Sequence, residues 1–216
     1  MKIIKTTKYL FLSLSLFSSL LVTGCYKASM PAMPSGFIGD YSNLKPVNND
    51  VGTLFFLDKD IDWTKYHSIM IYPVQIKFIK ESKHFDIKRD DLIVLGQYFR
   101  REMHKAVEGK YKVVKKSGPG VLKLRVAITD VKPTDVVANI ISKTLFYLPV
   151  DMGEAAMEGN LTDSLSGKPV AAIVDRKIGS VFSTSLGYTK WGHVKDAFEE
   201  WSAQLINVLE KQVLAG

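Results

Sequence analysis

The only cysteine of the chain, Cys25, stands just behind an uncharged run from Tyr9 to Val22, and its place limits what the rest can fold into. One thiol forms no internal disulfide, so stability must come from a buried core. The run is built of Leu, Phe, Ser, Val and a single Tyr and is shorter than the roughly 20 residues that cross a bilayer. Lys2, Lys5 and Lys8 precede it without an acidic residue, which is the order of an export signal. Removing the first 24 of 216 residues leaves 192, a length that suits one domain and a tether. Hydrophobic residues at 46% and charged residues at 24% allow that remainder to bury a core.

Val22, Thr23, Gly24 and Cys25 resemble the lipobox read by lipoprotein signal peptidase, an aliphatic residue and two small ones before the cysteine. Sulfur is the nucleophile that accepts a diacylglyceryl group, and small neighbours let the peptidase reach the backbone. The resemblance implies cleavage between Gly24 and Cys25 and a covalent diacylglycerol and N-acyl lipid on Cys25. No other cofactor is expected. At about 0.8 kcal/mol per buried methylene, the acyl chains of such a protein give stable anchoring. Tyr26 follows where an aspartate would resemble an inner-membrane retention signal. The expected location is therefore the outer membrane, facing the periplasm. Loss of the three signal lysines takes the formal net charge from +7 to +4, too little to point to nucleic acid.

After the lipid site, Tyr26 to Ser35 reads as a tether rich in Pro and Met, and Gly36 to Val51 as an irregular strap docked by its aromatics. Thr53 to Leu57 is a short strand. Ser68 to Ile79 is a longer one, buried on both sides in its first half and interrupted at Pro73, which lacks a ladder donor. Asp90 to Glu108 is a helix with the stripe Leu92, Leu95, Phe99, Met103 and Ala106. Tyr111 to Lys115 and Val121 to Val131 read as a half-buried hairpin around Gly118, Pro119 and Gly120. Met152 to Thr162 and Val170 to Val174 read as a second, turning at Ser166, Gly167, Lys168 and Pro169. Trp191 to Leu214 closes the chain as a helix with Val194, Ala197, Phe198, Trp201, Leu205, Val208 and Leu209 on one side. This order predicts an α+β fold: a mainly antiparallel sheet with two long amphipathic helices packed on one face. The expected division is a signal over 1–24, a lipidated tether and docking strap over 25–52, and one α+β periplasmic domain over 53–216.

Several stretches resemble the bacterial lipoprotein family grouped as domain of unknown function 3313. They are Ser35 to Ser42 (SGFIGDYS), Gly118 to Asp130 (GPGVLKLRVAITD), Gly153 to Asp175 (GEAAMEGNLTDSLSGKPVAAIVD), and Lys190, Trp191 and Gly192 before the last helix. With the lipobox they are spread along nearly the whole mature chain, from Cys25 to Gly192. The family carries no established catalytic residues, so the resemblance assigns no activity.

The remaining polar clusters are read as structural. Asp58, Asp60 and Asp62 begin like a calcium loop, but Trp63 stands at the sixth place where Gly is needed and Ile69 at the twelfth where Glu is needed. A solvated turn or cap is expected. His67, His84, His104 and His193 lack ligand spacing, so no metal site is expected. Gly167 and Lys168 precede Pro169 where a phosphate loop needs Ser or Thr. No catalytic constellation is recognisable, although Glu154, Glu158 and Asp175 are carboxylates that a fold could bring together. Asp175 and Arg176 are either a polar binding rim or a surface charge pair before a turn.

Thr134 to Leu148, between Pro133 and Pro149, is the least ordinary segment, with Val137, Ile140, Ile141, Leu145 and Leu148 at helical spacing and Phe146 and Tyr147 beside them. It either caps the open sheet face as core, the ordinary expectation, or presents Ile140, Ile141, Leu145, Phe146 and Leu148 to a partner or the lipid interface. The expected function is binding or scaffolding by an envelope lipoprotein, held by its lipid and possible contacts with envelope proteins. The alternatives are a hydrolase of a cell-wall or lipid component and an accessory subunit of an export or efflux assembly.

Overall fold

The structure, a computed structural model, describes residues 31–48, 50–82, 86–146, 151–179 and 189–215. Among the described residues eight strands form one sheet: β1 (Lys45–Val47), β2 (Asp50–Leu57), β3 (Ser68–Ile71), β4 (Gln75–Ile76), β5 (Lys112–Val113), β6 (Val121–Lys132), β7 (Glu154–Asp163) and β8 (Pro169–Ile178). Three helices accompany them among the described residues: α1 (Arg89–Val107), α2 (Val136–Phe146) and α3 (Gly192–Ala215). The sheet order is β1-β2-β8-β7-β6-β3-β5, with β4 also on β6. β1, β2, β8, β7 and β6 are antiparallel neighbours, whereas β3 and β4 run parallel to β6 and β5 runs parallel to β3. The architecture is thus α+β with a mixed, mostly antiparallel sheet.

The parallel strands correct one expectation. Tyr111 to Lys115 does not form a hairpin with β6; only Lys112 and Val113 are strand, and they pair with β3, which lies between β5 and β6. Two physical causes combine here. β3 is buried at all four positions, so it suits an interior place with both edges paired. α1 supplies the long crossover that two parallel strands, β3 and β5, require. The start of β6 is fixed beside β3 by Gly120, whose carbonyl accepts the N–H groups of His67 at 3.1 Å and Ser68 at 3.2 Å. Gly120 has φ of +67°, and a Cβ there would lie 2.4 Å from the His67 ring and 2.5 Å from the Lys65 carbonyl. Only glycine fits that approach.

Pro73 acts as expected. Ile71 pairs with Leu124 and Gln75 with Ala127, so four residues advance on one strand against three on the other. The ladder resumes with Lys77 N–H on the Ile128 carbonyl at 2.9 Å. The second hairpin is also present as β7 and β8, and its turn is held by Asp163, whose Oδ1 accepts the N–H groups of Leu165 and Ser166. The strap differs in part from expectation: β1 and the first residues of β2 lie within the segment read as irregular.

Both long helices bury the stripes read from the sequence. Leu95, Phe99 and Met103 of α1 and Val194, Ala197, Phe198, Trp201 and Leu209 of α3 join one apolar cluster with alternate residues of β6 and β7. The helices meet through Phe99 and Phe198, stacked with ring centres 4.4 Å apart and planes within 4°, and Trp201 leans on both. Ile206 is buried beside this stripe, while Leu205 and Val208 are half-buried. Asp62 caps the short 3-10 turn Trp63–Lys65 by accepting the Thr64 N–H, and Asp58 pairs with Lys168 at 2.7 Å. These aspartates therefore serve as a cap and a surface ion pair.

Candidate functional site

Strand alternation gives the sheet two differently used faces. Ala155, Met157 and Leu161 of β7 point into the main cluster, and Ala156, Glu158 and Asn160 point the other way. On that second face Glu158, flanked by Ala127 and Val174, has no exposed surface. Its carboxylate accepts the Ser35 N–H, the Ile38 N–H at 3.2 Å and the Tyr41 hydroxyl at 2.6 Å. The same hydroxyl accepts the N–H groups of Gly36 at 2.9 Å and Ile38 at 3.2 Å. Burial, with the bond to Glu158, pushes the Tyr41 phenol up to about 12. Gly36 and Gly39, both with φ near +90°, curl the strap around this point. Phe37 lies buried under the Arg125 guanidinium, 4.8 Å from its ring centre. The Ser35 to Ser42 motif is thus a strap wound on one strand carboxylate.

Asp175 is the counterpart on the opposite face of the sheet, the face of Met157. It pairs across the ladder with Met157, which sets its face, and it is buried. Its carboxylate accepts the Trp201 indole N–H at 2.6 Å, the Thr53 hydroxyl at 2.6 Å and the Arg176 N–H at 3.0 Å. Arg176 turns to the second face and meets Asp130 at 3.3 Å and Glu154, while the Ser82 hydroxyl donates to Asp130 at 2.8 Å. Asp175 and Arg176 are therefore not a surface charge pair, since their side chains lie on opposite faces and bond other partners, while both residues stand in the lining of one cleft. Glu154, Glu158 and Asp175 likewise occupy separate environments with separate partners.

Beside Asp175 a cleft of about 1270 Å³ opens between α3 and strands β1, β2 and β8. Phe55, Gly159, Ile173, Leu205 and Val208 give it an apolar lining, and Lys177 and Glu200, paired at 2.6 Å, stand among its polar residues. Leu205 and Val208, read from sequence as helix core, are half-buried because they line this cleft. At its end sits His193, buried, with no hydrogen-bond partner for Nε2. Burial lowers the His193 pKa, opposed by Asp196 and Asp151.

α2 joins β6 to β7, and its polar side is the one turned inward. Asn139 is fully buried; its amide donates to the Asp151 carbonyl and accepts the Asp151 N–H, both at 2.8 Å. Asp135 caps the helix by accepting the Ala138 N–H at 2.9 Å, and Ser142 is buried beside Asn139. Val137, Ile140, Ile141 and Leu145 are consequently exposed. The reading of this segment as core is corrected: buried polar groups take the inner side because they have partners there.

The model of the family described as "Protein of unknown function (DUF3313)" matches residues 33–205. The chain belongs to the DUF3313 family. The DUF3313 match takes in the strap, both carboxylate anchors, α2 and most of α3. No curated protein matches the chain. Among solved structures it is similar to the PelC dodecamer protein of Paraburkholderia phytofirmans, at 9% identity over 73% of this chain and 95% of that one, with a TM-score of 0.43. It is also similar to the hypothetical protein CT253 of Chlamydia trachomatis, at 14% identity over 67% and 98%, with a TM-score of 0.37. A third is a candidate lipoprotein of Caulobacter crescentus CB15, at 11% identity over 71% and 96%, with a TM-score of 0.35.

Of the expected site residues, Gly24, Cys25 and Leu148 lie outside the described residues, as does His84. Ile140, Ile141 and Leu145 share one exposed helix side, and Phe146 ends that helix. Sequence reading missed the Glu158 anchor, the Trp201 to Asp175 bond and the inward Asn139. The available signals were a tyrosine in a glycine-rich strap, a carboxylate within a buried strand and an asparagine amid an apolar run.

Proposed function

We propose that this DUF3313 chain is a lipid-anchored envelope protein of the periplasmic side of the outer membrane, with a binding or scaffolding role. The observation that carries it is the position of Val22, Thr23, Gly24 and Cys25 at the end of the Tyr9 to Val22 run. A sole thiol at that place is accounted for by lipid attachment and by no disulfide. Among the described residues no helix is long and apolar enough to cross a membrane. Tyr26 behind the cysteine favours the outer membrane. In this reading α1 and α3 form a layer over one face of the sheet, supported by their stacked aromatics and shared cluster. The cleft beside α3 is the part of that face left for a ligand or partner with an apolar body and a polar end. Separation of Glu154, Glu158 and Asp175 favours binding over hydrolysis, which needs an acid and a base within reach of one bond. Labelled palmitate fed to producing cells should enter the parent chain and leave Cys25→Ser unlabelled and unprocessed. Equal labelling of the two would overturn the assignment.

A further inference from the structure

We propose that α2 lies flat on the membrane surface, as a second and non-covalent contact that orients the anchored protein. This rests on the lipid-anchor reading of Cys25. Val137, Ile140, Ile141 and Leu145 are 67%, 50%, 56% and 63% exposed, and their spacing places them in one stripe along the helix. The stripe cannot roll inward, because the opposite side is committed to Asn139 with its two bonds to Asp151 and to buried Ser142. Lys143 is the only charged residue of α2. Its 11 residues span roughly 16 Å at about 1.5 Å each, too short for a bilayer core of roughly 30 Å and suited to lying in the interface.

The occupant follows from the chain between the anchor and the strap. Ser35 is held on Glu158, and Asp151, which bonds Asn139 of α2, is seven residues from Glu158, at most roughly 23 Å at about 3.3 Å per residue. Cys25 precedes Ser35 by ten residues, which reach roughly 31 Å at about 3.1 Å each. The tether is therefore longer than the step from strap to α2, so lipid and helix can share one plane. Tethering also makes the membrane the surface that α2 meets at the highest effective concentration, which a diffusing protein partner lacks. A weak apolar stripe is then sufficient.

The test uses the full chain. With Cys25 acylated, Ile141→Cys or Lys116→Cys supplies the one free thiol for an environment-sensitive dye; Lys116 is exposed near the start of β6, the end away from α2. The labelled proteins are reconstituted in vesicles of phosphatidylethanolamine and phosphatidylglycerol, with and without a lipid bearing a nitroxide in its acyl chain. The dye at 141 should be quenched by the nitroxide lipid and the dye at 116 should not. A Val137→Cys probe in a chain carrying Ile140→Glu should lose quenching while melting like its parent. Palmitate labelling of the same preparations separates the two readings. Labelled chains with equal emission at 141 and 116 overturn the α2 contact and leave the anchor standing. Absence of label overturns the anchor, and α2 stands only if position 141 is still quenched when vesicles are added. Protection at 141 that grows with protein density and ignores the nitroxide would mean a second copy of the chain, and would overturn the proposal.

Discussion

Glu158 holds the strap with an acceptor that no strap residue could supply for itself: two backbone N–H groups and a phenol converge on one buried carboxylate. Removing the acceptor leaves the Ser35 N–H and the Tyr41 hydroxyl without their partner and the Ile38 N–H with the Tyr41 oxygen alone, so Glu158→Ala should cost on the order of 3 kcal/mol. Tyr41→Phe loses the bond to Glu158 and the two that its oxygen accepts from Gly36 and Ile38, but leaves the carboxylate in place for the Ser35 and Ile38 N–H groups, and should cost about 1 to 3 kcal/mol. Urea midpoints compare them; equal, negligible shifts would show that the strap is held elsewhere. The Ser35 to Ser42 motif stands plainly in the sequence, but its partner lies 117 residues beyond Tyr41. Alternation assigns a mid-strand glutamate to water, and only the strap reverses that assignment. His193 gives the pH dependence at this scale. Its folded pKa is depressed below the ordinary 6.5, so the unfolded chain takes the proton more readily. The neutral imidazole contributes stability above about pH 6.5 that is lost as pH falls from there through the folded value. Thermal midpoints should fall with pH across that window and fall less steeply in His193→Gln, with His104, also lowered by burial, supplying part of the remaining slope. An unchanged slope would place the titration elsewhere.

Elements were legible where one residue period decides them. The stripes of α1 and α3 and the β7 to β8 hairpin follow from local spacing, because each buries one side and turns over a few residues. The pairing of β3 with β5 and β6 was not legible, since a parallel ladder leaves no mark on either strand and depends on where α1 returns the chain. α2 misled for another reason: apolar content pointed inward, whereas two polar residues, Asn139 and Ser142, had partners there and the isoleucines did not. Trp201 connects α3 to the strands both by packing and by its bond to Asp175. Trp201→Ala should cost about 3 to 5 kcal/mol through lost burial, the cavity and the loss of the donor to Asp175 Oδ2. Trp201→Phe keeps most of the volume and isolates the hydrogen bond, with an expected loss of about 1 to 3 kcal/mol. Lys211→Ala, exposed on the same helix, should stay within about 0.5 kcal/mol of the parent. Equally mild denaturant shifts for all three would make α3 peripheral and remove its role as a wall of the cleft.

At the scale of the whole molecule, under the proposed lipid anchor at Cys25, the strap decides how far the folded part can stand from that anchor. While Ser35 and Ile38 are fixed on Glu158, ten residues from Cys25 to Pro34 separate the proposed anchor from the strap, a reach of at most roughly 31 Å at about 3.1 Å per residue. If the strap is released, the next fixed point is β1 at Lys45, and the free chain about doubles to roughly 62 Å. The carboxylate thus sets the length of a tether whose other end lies far away in sequence. Glu158→Gln keeps the size of the side chain but replaces one acceptor oxygen by an amide donor, which faces the Ser35 or Ile38 N–H instead of bonding it. In lipidated protein on vesicles, this variant should keep its palmitate and its sheet while the segment from Ala32 to Leu44 becomes open to a protease that the parent resists. In an Ile140→Glu background, where α2 no longer holds the surface, energy transfer between a dye near the β8 end and a lipid-borne acceptor should fall as the allowed distance grows. A variant that gains neither protease sensitivity nor distance would show that the strap stays docked through Phe37 under Arg125, and that Glu158 serves only the interior of the sheet.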